Sequence, residues 1–250
     1  MGESAIHIGA SGWHYSHWVG PVYPHGTRPA AFLPFYTQHF QTVELNNSFY
    51  RLPARATFAR WRERTPPGFC FAVKASRYLT HMKKLKEPEE PIRRFLDAAD
   101  GLGEKLGPIL FQLPPHWRLD LGRFAAFLDA LPPERRYAAE FREPSWFDDR
   151  VAALLEQHNV AFCIWNMGTF NTPQWITAGF VYVRLHGPGG GYSGSYDEGD
   201  LSLLADWIAG WHAGGREVFC YFNNDNYGHA VHNALRVRQL LRERTAAPIF

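Results

Sequence analysis

The sequence predicts a single α/β domain over residues 1–250, folded as a (β/α)8 TIM barrel. Three observations carry that prediction. Eight short apolar runs alternate with segments of helical period. The length, 250 residues, is that of one such barrel. In most runs one alternate set of residues is apolar and the other ends in polar groups. A strand reads this way when one face meets helices and the other lines a barrel mouth. A doubly wound open α/β sheet is the alternative that strand count alone leaves open, and the parity favours the barrel.

The strands are expected at 6–12, 42–46, 69–75, 107–114, 137–142, 161–166, 180–187 and 218–224. Helical stripes lie between them. Ile92, Phe95, Leu96 and Ala99 follow Pro88 and Pro91, and Leu121, Phe124, Leu128 and Leu131 follow Asp120. Val151, Leu154 and Leu155 follow Asp148 and Asp149. Leu201, Leu204, Trp207, Ile208 and Trp211 follow Asp200, read as an N-cap. The last helix is expected at about 228–242, and 167–179 has room for a short helix only.

Parity assigns Val43, Leu45, Phe71, Val73, Phe111, Leu113, Ala139, Phe141, Val181, Val183, Leu185, Cys220 and Phe222 to the helix-facing side. The inner side ends in Ser11, Glu44, Asn46, Lys74, Gln112, Glu140, Arg142, Arg184, His186 and Asn223. Strand six fits either parity and closes on Asn166.

A net charge of +2 is too small to argue for a nucleic-acid partner by itself. The three cysteines sit inside apolar runs, which points to buried free thiols in a reducing compartment. There is no basic n-region and no apolar run of membrane-spanning length, so a cytoplasmic protein without membrane association is expected.

The chain resembles the YecE-like family, domain of unknown function 72. The stretches that carry the resemblance are IGASGWHYSHWVGPVYP (8–24), TVELNNSFYRLP (42–53), FAVKASRYLTH (71–81), KLGPILFQLPP (105–115), EFREPSWF (140–147), VYVRLHG (181–187) and YFNND (221–225). They cover nearly the whole chain in order. The resemblance implies a TIM barrel and no particular activity. It also implies a departure at Asn166, where many relatives carry an acid.

Glu44 and Lys74 end consecutive strands, so a pair between them is expected. Glu140 and Arg142 share the inner face of strand five, and Arg184 and His186 that of strand seven. Glu140 needs a cation, with Lys74, Arg142 and Arg184 available. Carboxylates beside a lysine and a histidine are the material of general acid–base catalysis. Glu44, Glu140, Lys74 and His186 are therefore the catalytic candidates.

The candidate ligand contacts are Ser11, Trp13, Tyr15, Asn46, Gln112, Arg142, Asn166, Arg184, Asn223, Asp225, Tyr192 and Tyr196. Tyr192 and Tyr196 lie in a glycine-rich loop, 186–200, read as a lid; its match to G-x-G-x-x-G is discounted because no helix opens on it. His14, Glu44, Glu140, His186 and Asp225 lack metal-ligand spacing, and nearby cations oppose a dication, so neither metal nor cofactor is expected.

These residues point to an enzyme with hydrolase- or isomerase-type acid–base chemistry on a polar, anionic, ring-bearing small molecule or nucleotide. The alternative is a nucleic-acid binder using Lys74, Arg77, Lys83, Lys84 and Lys86, with or without phosphodiester cleavage. A non-catalytic ligand sensor is the third reading.

Overall fold

A computed structural model describes residues 5–246 and 248–250. The barrel strands are β1 (Ile6–Ala10), β2 (Thr42–Leu45), β3 (Cys70–Lys74), β4 (Leu106–Gln112), β5 (Tyr137–Glu140), β6 (Val160–Met167), β7 (Phe180–Leu185) and β8 (Glu217–Phe222). The helices are α1 (Pro29–His39), α2 (Asn47–Tyr50), α3 (Arg55–Glu63), α4 (Glu89–Ala99), α5 (Leu121–Asp129), α6 (Asp149–Gln157), α7 (Glu198–Ala213) and α8 (His229–Arg244). Most strands end one or two residues before their expected C-terminal bounds; Ser11, His186 and Asn223, just past those ends, each still donate one backbone N–H to the neighbouring strand. Among the described residues no helix is long and apolar enough to cross a membrane. Cys70, Cys163 and Cys220 are free.

Asp120, Asp148 and Asp197 cap α5, α6 and α7 by accepting from the N–H of Arg123, Arg150 and Asp200. The cap of α7 is thus Asp197, not Asp200. Its first turn is exposed and polar, so the helix begins ahead of its apolar stripe. No helix follows β6. Instead Phe170–Asn171 folds back antiparallel on the end of β6. Thr172 and Thr177 then give hydroxyl acceptors to the N–H groups of Trp165 (3.0 Å) and Phe162 (2.8 Å).

The parallel strands run in the order β1-β8-β7-β6-β5-β4-β3-β2, a nearly closed barrel. The β1–β2 seam has no ladder. The Tyr36 hydroxyl spans it, accepting from Ala10 N (2.9 Å) and donating to Thr42 O (3.0 Å). Gly9 allows the close approach, since a Cβ there would stand 2.6 Å from Thr42 O. Farther down, Ile6 N and Ile8 N donate to the carbonyls of Pro248 (3.1 Å) and Phe250 (2.8 Å). Tyr36→Phe is expected to cost about 1–3 kcal/mol, because it strands a buried N–H and a buried carbonyl. Urea unfolding with an unchanged m-value measures this, and a loss under about 0.5 kcal/mol would mean the seam closes without the hydroxyl.

The helix-facing set is buried against the helices as the parity predicts. A second cluster fills the barrel, including Ala72, Leu110, Ala138, Ala161, Cys163, Tyr182 and Tyr221. Its aromatic members form a floor below the polar mouth.

Candidate functional site

The floor carries a ring of charge. Arg184, near the end of β7, is fully buried, as are Glu44 and Glu140. Its Nη2 and Nε donate to Glu44 Oε1 (2.8 and 3.2 Å), and its Nη1 donates to Glu140 Oε2 (2.6 Å). Glu44 also accepts from Ser11 Oγ (2.6 Å) and from the Tyr182 hydroxyl (2.7 Å). Glu140 Oε1 accepts from Arg142 Nε, and Cys163 Sγ approaches Oε2 at 3.7 Å. Every carboxylate oxygen is engaged. Two carboxylates and two guanidinium groups balance, which is how buried charge survives in a low-dielectric interior.

Glu44 and Lys74 do not pair. The register sets Glu44 opposite Ala72, so Lys74 stands two residues higher, and Arg184 reaches Glu44 from across the barrel. Among the described residues no carboxylate lies within ion-pair distance of Lys74 Nζ. Its neighbour is the Phe49 ring, 4.3 Å away. Burial pushes the Lys74 ammonium down, Arg184 pushes it further, and Glu140 and Glu44 only partly oppose them, leaving its pKa at about 7.

Burial pushes both carboxyls up, but it is outweighed. Arg184 with the Ser11 and Tyr182 hydroxyls holds Glu44 below the ordinary carboxylate value. Arg142 and Arg184 hold Glu140 well below it. Burial lowers His186 to about 4. Its Nε2 accepts from Arg142 Nη2 at 2.7 Å, so the neutral ring carries its proton on Nδ1. The Asn223 amide lies 3.2 Å from Nδ1, and the oxygen end of that amide belongs there.

The structure therefore gathers Ser11, Glu44, Lys74, Gln112, Glu140, Arg142, Arg184, His186 and Asn223 at one end of the barrel. Asn46 joins them, its Oδ1 3.5 Å from Arg184 Nη2. Gln112 is buried, and its Oε1 has no hydrogen-bond partner. Tyr15 stands at the edge with its hydroxyl donating to Ser11 O at 2.6 Å. Tyr192 lays its ring edge-on to His186 at 5.3 Å. Asp225 is drawn to the edge loop, where its carbonyl accepts from Trp18 Nε1 at 2.8 Å.

Three candidates lie outside the charge cluster, though Trp13 lines an edge pocket with Tyr15 and Asn46. Asn166 points outward, because Ala161 and Cys163 take the inner face of β6; it accepts from the Tyr196 hydroxyl at 2.7 Å. Tyr196 is a buried anchor whose hydroxyl also accepts from Gly187 N at 2.8 Å. Trp13 packs edge-on to Trp61 in the helix layer, 5.5 Å between ring centroids.

Two mouth residues escaped the sequence reading. Trp165 carries the Arg142 guanidinium over its ring at 4.2 Å and anchors Nε1 on Phe141 O at 2.9 Å. Strand six fits either parity, so only packing sets Trp165 inward. Phe49, beneath Lys74, lies on α2, where strand parity gives no signal.

On the rim, Lys83 pairs with Glu87 at 2.9 Å, while Arg77, Lys84 and Lys86 are exposed. His81, set edge-on to Phe49 at 4.9 Å, is lowered to about 4 by burial and by Lys74 and Arg77. Among the described residues no group of three His, Cys, Asp or Glu side chains is arranged to hold a metal ion.

A family model described as "Protein of unknown function DUF72" matches residues 7–249. UPF0759 protein YecE of Escherichia coli K12 is 32% identical over 143 residues, 57% of this chain, and the match spans 50% of that relative's length. UPF0759 protein YunF of Bacillus subtilis is 26% identical over 271 residues, covering 94% of each chain. A solved structure of a DUF72 family protein from Thermotoga maritima aligns with a TM-score of 0.87 at 28% identity, over 95% of this chain and 99% of that one. One from Enterococcus faecalis shares the fold with a TM-score of 0.77 at 19% identity, over 96% of this chain and 98% of that one.

Proposed function

The chain belongs to the DUF72 family, and from that premise we propose that it is an enzyme acting on a small anionic molecule held in the barrel mouth. Lys74 is the group that moves protons, while the neutral His186, with both ring nitrogens engaged, orients Arg142. The observation that carries this reading is Lys74, a buried ammonium left without a carboxylate while both nearby carboxylates are committed to arginines. Proton transfer by Glu44 or Glu140 meets a physical obstacle, since each stays ionised with every oxygen engaged. Their part is to hold Arg184 and Arg142 in place. A lysine poised at about 7 can give or take a proton at neutral pH. A non-catalytic anion sensor has no need of that poise.

Binding of a small anion is expected to be linked to a proton. The anion raises the Lys74 pKa from about 7, so the complex takes up a proton above that pH, and affinity falls by up to about tenfold per pH unit. Calorimetry with inorganic phosphate and glyoxylate, in buffers of different ionisation enthalpy, reads the uptake directly. Binding that ignores pH, or no binding of either anion, removes the reading. Steeply salt-dependent retention of single-stranded oligonucleotides, without small-anion binding, would move the function to the rim. Arg77, Lys84 and Lys86 are exposed, as are the rings of Tyr50 and Tyr78.

A further inference from the structure

Among the described residues two lysines are buried, and their ammonium groups have different surroundings. Lys105 is held as a structural cation. Its Nζ donates to Arg62 O (2.6 Å), Thr65 O (2.7 Å) and Thr65 Oγ1 (3.2 Å). Lys74 has no such acceptors among the described residues. It faces the Phe49 ring and feels the positive charge of Arg184 and Arg142. Next to it, Gln112 Oε1 is buried and unpartnered, one inward step beyond Leu110, the residue in register with Lys74. The surroundings disfavour the ammonium and supply no counter-ion. A lysine meant only to attract an anion gains nothing from being discharged. A lysine meant to use its lone pair does.

We propose that Lys74 forms an imine with the carbonyl carbon of a small aldehyde or ketone that also carries a carboxylate or phosphate. The inference rests on the anion-binding reading of the mouth and names its substrate class. Arg142 spends Nε on Glu140 and Nη2 on His186, which leaves Nη1 for the substrate's anionic group. The Gln112 amide meets the oxygen of the carbinolamine.

The step balances without a cofactor. The neutral Nζ lone pair forms the C–N bond as the carbonyl π pair moves to oxygen. That oxygen is protonated, and Nζ releases one proton to solvent. Protonation of the hydroxyl then expels it as water while nitrogen forms the C=N bond. Amine, carbonyl compound and one proton become an iminium cation and water. The iminium carries one positive charge more than the neutral amine that reacted, the same charge as the ammonium form beside Phe49, and the substrate's anionic group offsets it.

The test is reductive trapping. Protein is incubated with glyoxylate and sodium cyanoborohydride, and its peptides are mapped by mass spectrometry. A carboxymethyl group is expected on Lys74, formed at least about tenfold faster than on Lys83, because the Glu87 pair raises the Lys83 ammonium while burial lowers that of Lys74. The labelling rate should inflect near pH 7. Lys74→Arg, which keeps the charge but cannot form the imine, is expected to bind glyoxylate and give no adduct there. Labelling confined to the other lysines, or none while glyoxylate still binds by calorimetry, overturns the imine and leaves the anion site standing. Glyoxylate that neither binds nor labels removes both.

Discussion

Arg184→Met is expected to destabilise the protein more than any other single change in the mouth, by about 3–5 kcal/mol at pH 7 or more. The side chain is fully buried and holds both Glu44 and Glu140. Without it two fully buried carboxylates are left with only Arg142, which pairs with Glu140, and a loss of this size is a large part of a typical folding margin.

The dependence on pH should also invert. In the wild type both folded-state pKa values lie below the unfolded ones. Their stabilisation is therefore present above about pH 4.5 and lost as pH falls through the folded values. In the variant both values should rise above the unfolded ones. The variant is then relatively most stable below about pH 4.5 and weakens as pH increases. Thermal melts across pH 4–8 decide the matter. A variant within about 1 kcal/mol of wild type at pH 7 would show that Arg184 is not the keystone of the charge cluster. Adding Glu44→Gln alone to the same chain should restore much of the loss, since Glu140 keeps Arg142 and a neutral amide at 44 needs no counter-ion.

Lys74→Met should act in the opposite direction, stabilising the fold while ending its chemistry. Folding lowers the lysine from its ordinary 10.5 to about 7, so the folded state expels a proton between those values. The wild type bears the full cost below pH 7, and that cost fades as pH rises to about 10.5. At about 1.4 kcal/mol per pKa unit, and discounting for relaxation around the site, methionine should gain about 2–4 kcal/mol at pH 7. The gain should vanish at high pH. Anion uptake and reductive labelling should be lost in the same variant, because functional sites often keep unfavourable electrostatics that substitution relieves. A drop of more than about 1 kcal/mol at pH 7 would instead make Lys74 a structural cation and end the catalytic reading.

The barrel and most of its mouth were legible in the sequence because strand alternation is a local property. Val43 and Leu45 against Glu44 and Asn46, or Val183 and Leu185 against Arg184 and His186, reveal a buried helix-facing side and a polar inner side from neighbours in the chain alone. Where the alternation was unclear, so was the site. In strand six Phe162 and Ile164 are as apolar as Cys163 and Trp165, and only packing in three dimensions turned Trp165 inward and Asn166 out. The same applies to Tyr196, whose place is fixed by Gly187 and Asn166 and not by its glycine-rich loop.

What the sequence determined by itself was which side chains reach the mouth; what only the tertiary structure decided was which of them pair. Pairing depends on the stagger between strands, which is set by closing the barrel as a whole. That stagger lifts Lys74 above Glu44, carries Arg184 across to both carboxylates, and leaves one buried lysine with Phe49 and an unpartnered amide oxygen for company. No local pattern encodes that choice, because Arg184 and Glu44 stand 140 residues apart in the chain and meet only when the strands between them have found their register.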